Sequence, residues 1–432
     1  MRMSIRPLRM KRLDLWLKDR KYFGDLIRTL SDFGNLDLYV SVARLPPQAR
    51  GEARVTGWVP SRSQRELAER VSRATDGHCD VSFADPSPEE EPPSLVNHNR
   101  FLRPFEKLVL SFGVPSYNEI DPTWFMVLSF LLVFCFMFAD VGHGLILASV
   151  GLAVFALGRK GEQAGGVLSY VFQSGGLLIV CGLSGALGGI LLGEFFGYHV
   201  SYLPSKIALP DPLRIVLPFR PIDEPMQMFK MALLVGTLHI SFSLILNIAN
   251  KLLVRKFRAA FFEGFCWLWF YTGLMYSIFS FGLNLPALTT NPIMLWGILM
   301  PLMLMLLGRM GIEGLDGLVF FVEAVISTVS NTISYLRILA LSLAHSIVSS
   351  MILEVGGHNL LVALFGSLPA IALEGLVVFI HTTRLMWVEG FSKFYKAGGT
   401  PFQSKIVFDW EVLGIPPPYL EAIQIVSRRA AT

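Results

Sequence analysis

Glu323, Arg337 and His345 lie in one long apolar run of this chain, and Glu374, His381, Arg384 and Glu389 lie in the next. An ionisable side chain at membrane depth is costly unless it is paired or hydrated, so each of these marks an ion path, a proton relay or a structural pair. Helix geometry narrows the choice. At 1.5 Å and about 100° per residue, Glu323 and Arg337 stand about 40° apart in azimuth and about 21 Å apart along the axis. By the same arithmetic Glu374, His381 and Arg384 fall within about 80° of one another. Two consecutive helices therefore each carry a polar stripe running through several depths, which suits water-filled access paths from either side; an isolated ion pair needs no stripe. The bland alternatives stand beside this: a single intramembrane arginine as an ion-pair partner, a lone histidine as a hydrogen-bonded core residue. Glu389 fits the cytoplasmic interface beside Lys393, and Asp140 and Glu194, at the ends of apolar stretches, fit interfacial positions.

The elements that must position these groups are legible from composition. The chain has 432 residues, of which 53% are hydrophobic and 16% charged, too apolar for a soluble enzyme. Half of its 70 charged residues fall in the first 120 positions, so a polar module precedes a membrane module. Apolar stretches near the ~20 residues that cross a bilayer recur at 124–139, 142–158, 167–192, 228–250, 265–283, 292–307, 316–353 and 360–390, which predicts eight transmembrane helices, the first two joined as a tight hairpin. The seventh is long enough to require steep tilting. Placing residue 120 in the cytoplasm puts Arg159, Lys160, Lys251, Arg255, Lys256, Arg258 and Arg309 in inside loops. Only Lys206, Arg214 and Arg220 then fall in outside ones. This asymmetry predicts both termini inside, and the basic tail with Lys393, Lys396, Lys405, Arg428 and Arg429 agrees.

The polar module alternates strand and helix patterns. A strand-like run at Met10–Leu17 leads to an amphipathic helix at Asp19–Phe33. Asn35–Val42 and Ala53–Val59 read as strands, Ser61 as the N-cap of a helix at Gln64–Ala74, and His78–Phe83 as the closing strand. That order predicts a small α/β, ferredoxin-like lobe over 1–84. The run DPSPEEEPPS (85–94) reads as a stiff linker opening a linker and membrane-entry segment, 85–122; the eight-helix ion-translocating domain then spans 123–396 and a cytoplasmic tail 397–432. Cys79, Cys135, Cys181 and Cys266 form no CxxC pair, so no disulfide or zinc framework is expected. A net charge of +4 spread over scattered basic residues excludes a nucleic-acid footprint. Basic Met1–Arg12 lacks the apolar core of a cleavable signal peptide, which keeps the lobe cytoplasmic.

Several motifs bear a resemblance. STVSNTISYLRILALSLAHSIVSS (327–350) resembles the penultimate helix of the membrane stator subunit of V-type (A/V-type) rotary ATPases, subunit I in prokaryotes and subunit a in eukaryotes. EGLVVFIHTTRLMWVEGFSKFY (374–395) resembles its last helix. FADVGHG (138–144), GEFFG (193–197), and PFE and EIDPT within 103–123 are similar to its other landmarks. Ala139 departs from the usual glycine and Met386 from a histidine common in eukaryotic members. The family's long coiled coil and distal lobe have no counterpart between 42 and 51, so the arm is expected to be shortened. The resemblance implies that Arg337 faces the carboxylates of a rotating proteolipid ring, that Arg384 supports it, and that Glu323, His345, Glu374 and His381 line two half-channels for H⁺ or Na⁺. It implies as partners the ring, the peripheral stalk, the central-stalk and head subunits, and the lipid bilayer of the cell membrane. No cofactor or metal is expected, and no phosphate-binding glycine-lysine motif is present, so the chain reads as a non-catalytic subunit. The physical logic stands apart from the name. A ring carboxylate crossing lipid must be neutral, and meeting a fixed guanidinium lowers its affinity for the ion it carries. Arginine suits the post because it stays charged when desolvated. The competing reading is a secondary transporter using the same charges for solute or ion binding. It predicts internal repeats and broken helices at matching positions of two halves, and the charges sit only in the last quarter. A scaffold that no longer conducts is a third reading, against which stand Arg337, Arg384, Glu323 and Glu374.

Overall fold

A computed structural model describes residues 2–7, 39–42, 55–74, 79–87, 90–96, 98–99, 102–161, 175–200, 207–213, 215–282, 292–314, 316–355, 360–402 and 406–407. The chain divides into two compact units, Met1–Asn97 with Gly398–Thr432, and His98–Ala397.

In the first unit, strands β1 (Arg2–Pro7), β2 (Tyr39–Val42), β3 (Val55–Trp58) and β4 (Cys79–Ala84) pair antiparallel in the order β4-β1-β3-β2. Helix α1 (Gln64–Ala74) occupies the predicted span and turns Leu67 and Val71 into the interior. The alternation of Met3 and Ile5 with Arg2, Ser4 and Arg6 carries β1, ahead of the run expected at Met10–Leu17; that run and the helix expected at Asp19–Phe33 lie outside the described residues. At the far edge, a strand at Ile406–Val407 pairs parallel with β2.

The second unit is helical. Helix α2 (Arg103–Phe112) precedes α3 (Thr123–Met137), α4 (Val141–Gly161), α5 (Gly175–Leu192), α6 (Pro225–Leu253), α7 (Cys266–Phe281), α8 (Met300–Glu313), α9 (Asp316–Ser334), α10 (Leu336–Val355) and α11 (Leu360–Arg384). Each of the eight apolar stretches contains helix among the described residues. Among the described residues, five helical segments are long and apolar enough to cross a membrane: Gly175–Leu192, Pro225–Leu253, Met294–Gly311, Asp316–Val355 and Phe365–Phe394. The helices at Thr123–Met137 and Val141–Leu157 are apolar but shorter. This is a polytopic helical membrane protein.

Its core forms where α3 is enclosed. Phe125, Met126, Phe130, Phe134, Met137 and Phe138 are buried, and Phe105 of α2 meets Phe130 edge-on at 5.7 Å. Helices α4 and α5 approach through small residues, as membrane helices do when backbone contact replaces side-chain interdigitation. A Cβ on Gly144 would lie 2.4 Å from the nitrogen of Ala186, and one on Gly182 2.4 Å from that of Ala148.

The seventh apolar run is helical over Asp316–Val355, with an interruption at Tyr335 that divides it into α9 and α10. There the N–H of Tyr335 donates to Thr332 and that of Ile338 to the Tyr335 carbonyl, the tighter i→i+3 pattern that interrupts an α-helix. Tyr335 is fully buried, its hydroxyl bonded to His239 of α6 and its ring lying where a Cβ on Gly236 would come within 2.5 Å.

Candidate functional site

Arg337 follows this break by two residues. Its Nη2 donates to the Ser334 hydroxyl and to Oε1 of Glu389, the latter at 3.3 Å, and Ser334 also donates to Glu389. Glu389 is turned into the protein. It is 2% exposed, carried inward by a π-helical segment, Leu385–Phe391, that continues α11. A wide turn of this kind re-aims side chains within a helix and recurs at functional sites. Lys393 instead lies over the Trp267 ring at 4.8 Å and 3.4 Å from the Ser327 hydroxyl.

The guanidinium also interrupts an outward face. Ile326, Ile333, Ala340, Ala344, Ile347 and Met351 are exposed along α9 and α10, and Arg337, partly exposed, falls in line with them. On α11, Leu373, Leu376, Ile380 and Val388 are exposed and Arg384 is exposed among them. Alanines at 340 and 344 leave room for another helix to approach closely.

Polar groups lie to either side of this level. Toward the N-terminus of α9, exposed Glu323 shares a side of the helix with Ser327, Ser330 and Asn331, among Leu318, Val319, Val322 and Ile326. Toward the C-terminal half of α10, His345 is 3% exposed, and its Nδ1 lies 2.7 Å from Oε2 of Glu374 on α11. His143 of α4 approaches the other face of that imidazole, Nδ1 to Nε2 at 3.4 Å. Asp140 and Glu194 are buried here, 0% and 2% exposed. Asp140 is the N-cap of α4, one oxygen accepting the N–H of His143 at 3.0 Å and the other that of Gly197 at 3.2 Å. Glu194 accepts the Ser346 hydroxyl. The segment after α5 folds inward through Phe196 and Gly197, both at positive φ. Gly197 also lies so close to Ser349 that a Cβ would come within 2.8 Å of its backbone, so only glycine meets both demands. Arg220 reaches the same end of α10 through Ser350 at 3.2 Å.

The V-type ATPase 116kDa subunit family matches residues 41–214 and 317–406, which takes in the hairpin of Asp140 and His143 and the charged residues from Glu323 to Glu389. The chain belongs to this family. Among its relatives, the A-type ATP synthase subunit I of Methanocaldococcus jannaschii is 28% identical over 81% of this chain and 54% of its own length. That of Aeropyrum pernix is 30% identical over 82% of this chain and 57% of its own. The V-type ATP synthase subunit I 2 of Treponema pallidum is 31% identical over 47% of each. The chain thus spans about half the length of the archaeal relatives.

Of the residues singled out by spacing in this family member, the structure brings Glu374 and His345 together, holds Arg337 against Glu389, and leaves Glu323 and Arg384 on the outer face. His381 is partly exposed and its Nδ1 has no partner among the described residues. Sequence reasoning did not anticipate Ser334 and His143 as partners, Glu389 as the residue that holds Arg337, or the burial of Asp140 and Glu194. The FADVGHG run held a usable signal, since an aspartate at a helix start caps the backbone N–H three residues on, which fixes the Asp140 carboxylate at the start of α4.

Proposed function

We propose that this chain is the ion-conducting stator subunit of a V-type rotary ATPase or ATP synthase. The observation that carries the proposal is Arg337, whose guanidinium is held by Glu389 and Ser334 within a mostly apolar outward face spanning α9, α10 and α11. A face of that kind suits a rotating ring of proteolipid helices, each bringing a carboxylate past the arginine. In lipid the carboxylate is neutral because it carries H⁺ or Na⁺. Opposite the guanidinium the ionised form is favoured and the ion leaves. Arg384, 80° or so around α11 from Glu374, presents a second positive charge to the ring.

Two half-channels meet at this level. The side of α9 that carries Glu323 supplies one. The pair of Glu374 and His345, with His381 between it and Arg384 in sequence, supplies the other. Because both are offset from Arg337, an ion released on one side reaches the other only by riding the ring, and the guanidinium repels cations from the direct route. The segment Asp316–Val355 supports tilted packing against the ring: its 40 residues extend about 60 Å, roughly twice the hydrocarbon thickness.

In this reading eight helices cross the cell membrane with both termini cytoplasmic. The strand order β4-β1-β3-β2 supports a ferredoxin-like lobe that reaches the peripheral stalk. The chain holds no part of the ATP-hydrolysing machinery, which belongs to the head subunits. Replacing Arg337 with alanine in the reconstituted complex tests the proposal: ATP-driven ion uptake disappears while hydrolysis by the soluble head, detached from the membrane sector, continues. Undiminished ion uptake in that variant would overturn it.

A further inference from the structure

Asp140, His143 and His345 are 0%, 1% and 3% exposed, and each offers a ligand atom within 4.8 Å of the others. The two imidazoles do not make a good hydrogen bond. Their nitrogens stand 3.4 Å apart, beyond the 2.7–3.2 Å of an ordinary N–H contact. That spacing has a different meaning for a metal. Two nitrogens bound at about 2.0–2.1 Å to a tetrahedral ion stand about 3.3–3.4 Å apart.

The second coordination sphere is in place as well. Glu374 accepts from Nδ1 of His345 at 2.7 Å, which fixes the proton on that nitrogen and leaves the Nε2 lone pair aimed at His143. A carboxylate behind a histidine in this way orients it as a metal ligand and raises its basicity. His143 has neither nitrogen engaged in a strong bond, its Nε2 being buried without a partner. Asp140, anchored by the N–H groups of His143 and Gly197, closes the third side with a movement of no more than about 1.4 Å to reach tetrahedral spacing. Phe138 and Phe196 flank the two rings at 4.9 and 5.2 Å and keep the site compact.

We infer that Asp140, His143 and His345 form a three-ligand, tetrahedral site for a divalent transition cation of the Zn²⁺ class, with a fourth position open to water. Two carboxylates, Asp140 directly and Glu374 through His345, balance the ion's charge. Nitrogen-rich, tetrahedral coordination favours Zn²⁺ or Co²⁺ over Mg²⁺ and Ca²⁺, which take oxygen donors at higher coordination number. Occupancy ties His345 to the metal and so blocks the half-channel; that consequence rests on the proposed function, whereas binding does not.

The test uses the purified full-length protein and Co²⁺ as probe. One equivalent gives the intense visible absorption of tetrahedral Co²⁺, and Zn²⁺ abolishes it. His143→Ala and Asp140→Asn each weaken binding at least tenfold, with an unchanged near-ultraviolet circular dichroism spectrum showing that the fold persists. Failure of Co²⁺ to give the tetrahedral spectrum, or a spectrum identical in both variants, overturns the site. In the reconstituted complex, micromolar Zn²⁺ inhibits ATP-driven ion uptake, and the fraction inhibited falls in His143→Ala. Tetrahedral binding with Zn²⁺-insensitive uptake upholds the metal site and refutes the half-channel placement of His345 and Glu374.

Discussion

The pairing of Arg337 with Glu389 makes a quantitative demand on the motor. Glu389→Gln keeps the side-chain shape and the acceptor for Ser334 and removes only the charge. At 3.3 Å and an effective dielectric near 20, the bare Coulomb attraction is about 5 kcal/mol. The arginine side chain is 21% exposed, and desolvation of both ions offsets much of that attraction. What remains is the difference between a charge-assisted and a neutral hydrogen bond, about 1–1.5 kcal/mol. Glu389 and the ring carboxylate compete for one guanidinium. Without the Glu389 charge, the ring carboxylate is held more tightly by that amount and leaves about tenfold more slowly. In the reconstituted complex, ATP-driven ion uptake and ATP hydrolysis therefore fall together by about tenfold, at an unchanged ion-to-ATP ratio. Glu389→Asp, one methylene shorter but charged, falls between the variant and the parent. Wild-type turnover in Glu389→Gln would sink the competition argument. A fall in uptake alone, with hydrolysis unchanged, would mean that Glu389 seals against leak instead of restraining the arginine.

Gly236→Ala drives a methyl group to within 2.5 Å of the Tyr335 ring; overpacking of this kind destabilises by about 1–3 kcal/mol, read as earlier thermal unfolding in detergent together with slowed ion uptake. His239→Leu strands the buried Tyr335 hydroxyl, at a cost of about 1–3 kcal/mol. Adding Tyr335→Phe removes the stranded group and restores part of that stability, so a double variant as unstable as the sum of the singles refutes the pairing. Tyr395 donates its hydroxyl to the Gly113 carbonyl at 2.7 Å, and burial pushes its ionisation well above the ordinary tyrosine value. Its contribution is intact below pH ~10, the unfolded value, and is lost as pH rises further. Tyr395→Phe lowers stability by about 1 kcal/mol at neutral pH and flattens the alkaline part of the pH–stability curve, whereas parallel curves would dismiss the assignment.

What the sequence disclosed, and what it hid, divides along a physical line. Apolar runs near bilayer length marked where the membrane unit's long helices lie, because hydropathy decides where a chain can sit in lipid. Arg337, Glu323, His345 and Glu374 stood out because charge at that depth demands a reason. Partners across helices were another matter. Glu389 fits the interface by its nearness in sequence to Lys393 as well as it fits a buried site, and period alone does not show the π-helical segment that turns its side chain inward. Asp140 and Glu194 sit at helix ends, as expected, but those ends are folded into the protein. Burial there depends on the close approach of Gly197 to Ser349, a tertiary contact that period and composition do not encode. Likewise the break at Tyr335 has no proline or glycine to announce it; it is imposed by α6.

The two irregular segments share one support. His239 of α6 bonds the Tyr335 hydroxyl at the break before Arg337. The same imidazole stacks on Phe125 at 4.9 Å and lies against Gly390, where a Cβ would come within 2.9 Å of its Cε1. Gly390 follows Glu389 directly, so one buried side chain on α6 braces both the turn that presents the arginine and the turn that presents its counter-ion. Each turn gives up regular i→i+4 hydrogen bonds, and neither is favoured by its own sequence, which makes a common external brace the simplest way to hold both at one depth. The arrangement also separates two tasks. A guanidinium that meets a moving carboxylate must stay put while its charge is contested, and Glu389 can restrain it without occupying the outward face, because the contact that fixes Glu389 comes from the core behind it.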